Sequence, residues 1–282
     1  MSEATLKMSN AGTEIEINLA NQQLFSLKRN GVEVMWPGGA PESRRPKTGW
    51  PNSEIVMFPI IGAAPNDKIR IGDKEYPMGQ HGIARYIPWR IIDPGTFSVN
   101  MVQYHYGQEE IRGKNKQISV FPEPYRLAKT YFLSESGDLC FKIDVSSESD
   151  NNLHFALGFH PAFLVPNGAG AVANRSSNDS TTLRLSEVRK AEGCAMRFED
   201  SRAIEYLTDS FKVTMTHNFG MTQVWDKGEG YVAIEPITAP SLSATRQPDA
   251  ELGAMPRYIT LRGHGHMSFF GTIKVEPLDI RK

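Results

Sequence analysis

The chain has 282 residues, with 31 Lys plus Arg against 32 Asp plus Glu and a formal net charge of −1. That balance offers no basic excess for nucleic acid, and no stretch approaches the ~20 apolar residues that would span a bilayer. Hydrophobic residues at 40% and charged residues at 22% are the proportions of a folded chain, which excludes extended disorder. The first ten residues lack an apolar signal core, so secretion is not expected and cytoplasmic residence is. Two cysteines, Cys140 and Cys194, cannot build a disulfide framework. Cys140 lies in an apolar alternation and is expected to be a small buried residue.

The pattern along the chain is that of strands. Ile15, Ile17 and Leu19 alternate with polar residues at the period of a half-buried strand. Leu24 to Arg29 and Val32 to Trp36 flank Asn30-Gly31, which suits a type I′ hairpin turn with positive φ at both central residues. Pro37 to Asn52 reads as a long loop. A second hairpin is expected from Tyr125 to Val145, turning at Ser136-Gly137-Asp138 and leaving through Leu139, Phe141, Ile143 and Val145. Further strands are expected at Leu153–Phe159, Thr181–Leu185, Phe211–Thr216, Met221–Trp225, Tyr231–Glu235, Tyr258–Arg262 and Met267–Val275. Pro166 to Ser180 reads as loop, and Leu185 to Ala195 has room for a turn or two of helix. Short strands spaced by turn residues predict an all-β fold, a large antiparallel β-sandwich. With no repeat and no linker in view, a single domain across residues 1–282 is expected.

Three segments place titratable groups in apolar or turn-like surroundings. In Met78-Gly79-Gln80-His81-Gly82-Ile83-Ala84-Arg85, glycines beside His81 let backbone approach a ligand closely. The bland alternative is a loop histidine and a surface arginine. In Phe155 to Phe163, His160 ends an apolar strand and is followed by a proline. The alternative there is a core histidine satisfied by backbone. In Tyr231 to Ile237, Glu235 follows an apolar run, where burial would raise its proton affinity toward that of a base poised near neutrality. The alternative is a glutamate at a strand end, facing water.

Taken together and in order, these segments resemble the aldose 1-epimerase (galactose mutarotase) family. The likeness rests on His81-Gly82-x-x-Arg85, on Gly158-x-His160-Pro161-x-Phe163 and on Glu235-Pro236, with Phe58-Pro59-Ile60-Ile61-Gly62 upstream. The resemblance implies a β-sandwich with a sugar site in a cleft on one sheet, and an isomerase of carbohydrate metabolism. It implies Glu235 as the base that removes the anomeric hydroxyl proton and His160 as the acid that protonates the ring oxygen. His81 and Arg85 would hold sugar hydroxyls. Gln80 is counted with them, at a place where well-studied mutarotases tend to carry asparagine. Ala63 and Ala64 stand where the family often has an arginine. Asp226 is a candidate for a further binding aspartate without a motif to place it. Trp89 and Trp225 are the tryptophans nearest the motifs, and either ring could stack on a pyranose; Trp89 is counted as sugar-binding. A small sugar is the only partner implied, with no nucleic acid, membrane, metal or cofactor, and nothing in the sequence sets the oligomeric state. The chemistry is consistent with these residue types, because ring opening removes one proton and donates another. On this assignment the rate falls in acid as Glu235 protonates and in alkali as His160 loses its proton.

Three other readings compete. A sugar-binding protein of the same fold needs no acid and base. A hexose-phosphate 1-epimerase needs extra cations, for which Arg44, Arg45, Lys47 and Arg90 are at hand. A cupin-type metal barrel would rest on His264-Gly265-His266 and lacks an evident third ligand.

Overall fold

The structure, a computed structural model, describes residues 4–113, 117–176, 181–242 and 251–278. It is an antiparallel β-sandwich. One sheet has nine strands, in the order Thr182–Arg184, Ala171–Asn174, Ala203–Leu207, Phe211–His217, His266–Pro277, Leu139–Ser147, Tyr125–Leu133, Ser98–His105 and Arg90–Pro94. The facing sheet has five: Ala195–Phe198, Met221–Trp225, Tyr231–Ile237, Gly158–Leu164 and Glu54–Met57. Four N-terminal strands, Thr5–Asn10, Thr13–Asn18, Gln23–Arg29 and Val32–Glu33, make a separate small sheet. Among the described residues the α-helix is confined to Leu185–Val188, so none is long and apolar enough to cross a membrane.

Local chemistry explains the best-anticipated elements. Asn30 and Gly31 both take positive φ, 49° and 82°, the geometry a type I′ turn demands. The second hairpin pairs Tyr125–Leu133 with Leu139–Ser147 over nine residue pairs. Leu139, Phe141, Ile143 and Val145 all face inward and are buried. Cys140 consequently lies on the outer face, half-buried beside Thr272; the expectation of a buried cysteine read its neighbours but not its parity.

Other differences have equally local causes. The expected strand Leu153–Phe159 is two pieces, Leu153–Phe155 and Gly158–Leu164, which join different sheets. Within the expected loop Pro166–Ser180, Ala171–Asn174 is a strand, unmarked because alanine and asparagine have weak strand preference. Residues 177–180 of that loop lie outside the described residues. The strand Ser98–His105 went unread because Gln103 and His105 point inward with Val99 and Met101.

The inner faces of the two sheets interdigitate through aromatic rings. Phe159 packs 4.6 Å from Phe141 and 6.4 Å from Tyr131, and Phe163 lies 6.4 Å from Tyr206. One buried ion pair also crosses between the sheets. Lys129 Nζ donates to Glu54 Oε1 at 2.7 Å, with both side chains almost wholly out of water. The Tyr131 hydroxyl and the Leu24 amide donate to the same oxygen at 2.9 and 3.2 Å, and Gln22 O accepts from Lys129 at 3.1 Å. Removing one partner of such a pair strands the other's charge in a low dielectric. Lys129→Met should therefore lower unfolding free energy by about 3–5 kcal/mol. The double variant Lys129→Met/Glu54→Gln should recover most of that loss in urea melts, because the neutral amide oxygen still accepts from Tyr131 and Leu24. A single-variant cost below about 1 kcal/mol, the scale of a surface pair, would show that the ion pair does not join the sheets.

Candidate active site

Parity within the five-stranded sheet sorts its side chains. Pro161 pairs with Glu54 and Phe159 with Val56, and Glu54 faces the core. His160 pairs with Ile55 and therefore points out of the opposite face. On the neighbouring strand Glu235 alternates with buried Ile234 and emerges on that same outer face, directly across from Gln223. Residues 75 apart in sequence thus meet: His160 Nε2 lies 3.4 Å from Glu235 Oε1. Gln223 Nε2 donates to the other carboxyl oxygen at 3.0 Å.

The third group arrives on a loop clamped from two sides. The His81 amide donates to Gly62 O at 2.8 Å, and the Gly62 amide donates back to His81 Nδ1 at 3.1 Å. The Ile83 amide donates to Phe58 O at 2.8 Å. A side chain on Gly82, whose φ is +72°, would meet Phe58 O at 2.1 Å. Glycine is required there by both conformation and space. His81 accepts at Nδ1 and burial drives its pKa well down, so it is neutral and presents Nε2–H as a donor. Its ring stands edge-on to His160 with centroids 5.7 Å apart.

Arg85 follows on the short 3-10 turn Ala84–Tyr86. Gln103 pins that turn from the core, donating to Ala84 O at 2.8 Å and Ile87 O at 2.6 Å. This is why a glutamine faces inward in the Ser98–His105 strand. The Arg85 guanidinium lies 5.2 Å over the Tyr86 ring. Among the described residues it makes no hydrogen bond or ion pair. Its charge is felt by both histidines, opposing their protonation.

An aromatic wall completes the outer face. Trp50 lies 4.6 Å from His160 and 6.3 Å from Tyr231, and Trp225 lies 6.5 Å from His160 and 5.8 Å from Tyr231. Trp36 packs 4.8 Å from Tyr231. Sequence reasoning missed Trp50, which sits in the long Pro37–Asn52 loop with no motif around it. It also missed Gln223, although strand pairing of Met221–Trp225 with Tyr231–Ile237 would have placed it opposite Glu235.

The remaining expected residues go elsewhere. Trp89 is not one of the rings against His160; it packs over Lys129 Nζ at 5.1 Å, and its amide donates to Gln22. Asp226 is buried and holds Arg189 Nε at 2.9 Å and the Gly228 amide at 2.6 Å, which occupies both carboxyl oxygens. Gln80 is exposed beside the clamped loop. Arg44 makes two hydrogen bonds to Glu16, and Arg45 donates to Ala40 O. Arg44 thus ties its loop to the strand Thr13–Asn18, and Arg45 is engaged within the loop. His264 engages Asp150 and His266 engages Asp144 at the surface. No group of three metal-binding side chains occurs among the described residues.

Burial sets the protonation of the pair. Glu235 is 1% exposed and His160 6%. Burial pushes Glu235 up to about 8, partly offset by the Gln223 hydrogen bond. Burial pulls His160 down to about 3, and Arg85 adds to the fall. The order is the reverse of the one the sequence suggested. Burial thus favours a protonated Glu235 beside a neutral His160.

The family is decided by a match to the aldose 1-epimerase family model over residues 5–218. The chain belongs to the aldose 1-epimerase family. His81, Arg85 and His160 fall inside the matched segment, while Gln223 and Glu235 lie beyond it. No curated protein matches. Among solved structures, the fold is similar to a galactose mutarotase-like protein from Lactobacillus casei, with a TM-score of 0.79 and 20% identity over 97% of this chain and 100% of that one. A galactose mutarotase related enzyme from Lactobacillus acidophilus aligns with a TM-score of 0.76 and 19% identity over 98% of both chains. A galactose 1-epimerase from Lactobacillus acidophilus aligns at 0.70 and 12% identity over 98% and 95%. These likenesses establish the sandwich of this family member.

The buried carboxyl links pH to stability. Glu235 keeps its proton up to about 8 in the fold, against 4.5 for an unperturbed glutamate. A raised value means its contribution is complete below the unfolded pKa and is lost as pH rises through the folded one. Glu235→Gln removes that titration. Its melting temperature should gain on the unsubstituted protein by a widening margin from about pH 5 to about pH 8. A margin that stays constant in paired thermal melts would contradict the burial of a neutral carboxyl.

Proposed function

We propose that the protein is an aldose 1-epimerase, interconverting the α and β anomers of an aldose by opening and reclosing the hemiacetal ring. The reading rests on one observation above the others: a carboxyl and an imidazole 3.4 Å apart on adjacent strands, largely out of water. Within a family of epimerases, that is the acid and base the reaction needs.

In ring opening, the Glu235 carboxylate takes the proton of the anomeric hydroxyl. The O1 electrons form the carbonyl, the C1–O5 bond breaks, and the His160 imidazolium protonates O5. The pair ends with its one proton on Glu235 and a neutral His160. Rotation about C1–C2 turns the other carbonyl face toward O5. Closure runs the same transfers backwards, with neutral His160 taking the O5 proton and Glu235 returning one to O1. The proton count of the pair is constant over the cycle, so no external acid, base or cofactor enters. Burial favours the arrangement that follows opening, with the proton on Glu235, so before opening the proton crosses to His160.

His81 Nε2–H and the Arg85 guanidinium are the donors free to hold sugar hydroxyls. Within the aromatic wall, half-buried Trp225 supplies a flat apolar face for the ring's C–H groups. Of the four cations a phosphorylated hexose would call on, Arg44 and Arg45 are already engaged, which leaves Lys47 and Arg90 for that alternative.

Polarimetry on freshly dissolved aldoses tests the assignment. Glu235→Gln retains shape and hydrogen bonding yet accepts no proton, and should lose about 10²–10⁴-fold in rate. Arg85→Ala should raise KM more than it lowers kcat. Turnover of Glu235→Gln equal to that of the unsubstituted enzyme would refute the base. Sugar binding without catalysed mutarotation would replace the enzyme with a binding protein.

The pH profile is a separate prediction. The working form is the pair with one proton, so kcat/KM should be flat from about pH 5 to about pH 7 and fall above about pH 8. A limb near the ordinary histidine value of about 6.5 would show that His160 is not held down by its surroundings.

A further inference from the structure

The proposed reaction requires a charge-separated pair, with the imidazolium of His160 beside the carboxylate of Glu235. Every charged or titratable neighbour of His160 bears on that state. Glu235 at 3.4 Å favours it. Arg85 opposes it. His81, with its ring 5.7 Å away, adds no charge while neutral. Burial opposes it as well, so the site needs a further source of stabilisation that acts on the cation alone.

Two indole rings face His160. Trp225 is 6.5 Å away and inclined at 60°, outside the ~6 Å reach of a cation–π contact. Trp50 is 4.6 Å away with its plane 34° from that of the imidazole, so the histidine lies against the indole face. That face carries the negative lobe of the ring quadrupole, and tryptophan is the strongest of the aromatic side chains in this role.

The loop is built to keep Trp50 there. Trp36 Nε1 donates to Trp50 O at 2.8 Å. A side chain on Gly38 would strike Trp50 O at 2.2 Å, and one on Gly49, at φ +88°, would strike the Trp36 ring at 2.7 Å. Two glycines and one indole hydrogen bond thus fix the backbone of a ring that is itself only half-buried.

We propose that the indole face of Trp50 carries the positive charge of His160 when the proton crosses from Glu235. Trp50 acts through His160 and touches neither the sugar nor the migrating proton. The inference rests on the epimerase reading for its catalytic consequence, but not for its electrostatic one.

The test reads the sign of a titration. Spectra of ¹⁵N-histidine-labelled protein follow the His160 ring, assigned by its loss in His160→Gln. The Arg85→Gln background removes the opposing charge and brings the midpoint into a more accessible range. In that background Trp50→Leu keeps apolar cover but removes the π face. The His160 midpoint should fall by about one unit, a tenfold change in proton affinity of the size a desolvated cation–π contact gives. Trp50→Phe should fall by less. If Trp50 were merely a cover, its loss would admit water and raise the midpoint. A rise, or no change, in both variants overturns the proposal. Should Trp50→Leu fail to fold, the smaller fall in Trp50→Phe decides the same question.

Kinetics supply the second arm. In the otherwise unsubstituted enzyme, Trp50→Leu should lower kcat about tenfold with little change in KM, and Trp50→Phe should restore part of it. A raised KM with kcat intact would make Trp50 a sugar-stacking ring and would overturn the proposal. If the unsubstituted protein shows no mutarotation, the epimerase reading fails, and the histidine titration still decides the role of Trp50.

Discussion

The alternation of side chains along Gly158–Leu164 is the constraint on which the rest depends. Phe159, Pro161 and Phe163 face the sandwich core, so His160 must face the other way. The flanking strands are locked in register by the same rule, with Glu54 turned inward to Lys129 and Glu235 turned outward to His160. A slip of one residue would bury the imidazole between the sheets and expose the phenylalanines. Core and chemistry are therefore two faces of one strand.

A second consequence follows from what covers the outer face. Trp36, Trp50, Trp225 and Tyr231 cover a carboxyl that would otherwise be charged at neutral pH and an imidazole that would otherwise titrate close to it. Desolvation disfavours both charges, so one proton is held within the pair. In the proposed reaction a pair in that state serves as acid and base in either direction, as a reversible ring opening requires. In the same proposal, neutral His81 and Arg85, which has no hydrogen-bond or ion-pair partner among the described residues, add donors without adding a competing base.

Much of this was legible in the sequence where local chemistry dominates. Asn30-Gly31 announced its turn, and the Leu139-to-Val145 alternation announced a strand with one buried face. His81, His160 and Glu235 were legible because each is a polar group in surroundings that otherwise have no use for one. What escaped notice depends on distant partners. Trp50 becomes part of the site only because Gly38, Gly49 and Trp36 fold its loop back over His160. Gln103 broke a strand's apolar pattern because it serves the Arg85 turn. The proton order of Glu235 and His160 is a property of burial, which residue type and spacing do not encode. Asp226 had the right chemistry for a ligand, yet its oxygens are committed to Arg189 and Gly228. Trp89 was near in sequence but stands over the Lys129 ion pair instead.

In the proposed reaction this chain moves an aldose between its anomers through an open-chain aldehyde. Two-dimensional exchange NMR on equilibrated aldoses and hexose phosphates in D₂O tests it most directly, by following the C1 protons of both anomers. Exchange cross-peaks between α and β are expected for at least one unphosphorylated aldose, growing with enzyme concentration while the C1 proton is retained. Exchange rates equal to those without enzyme, across a panel in which at least one sugar binds, would contradict it.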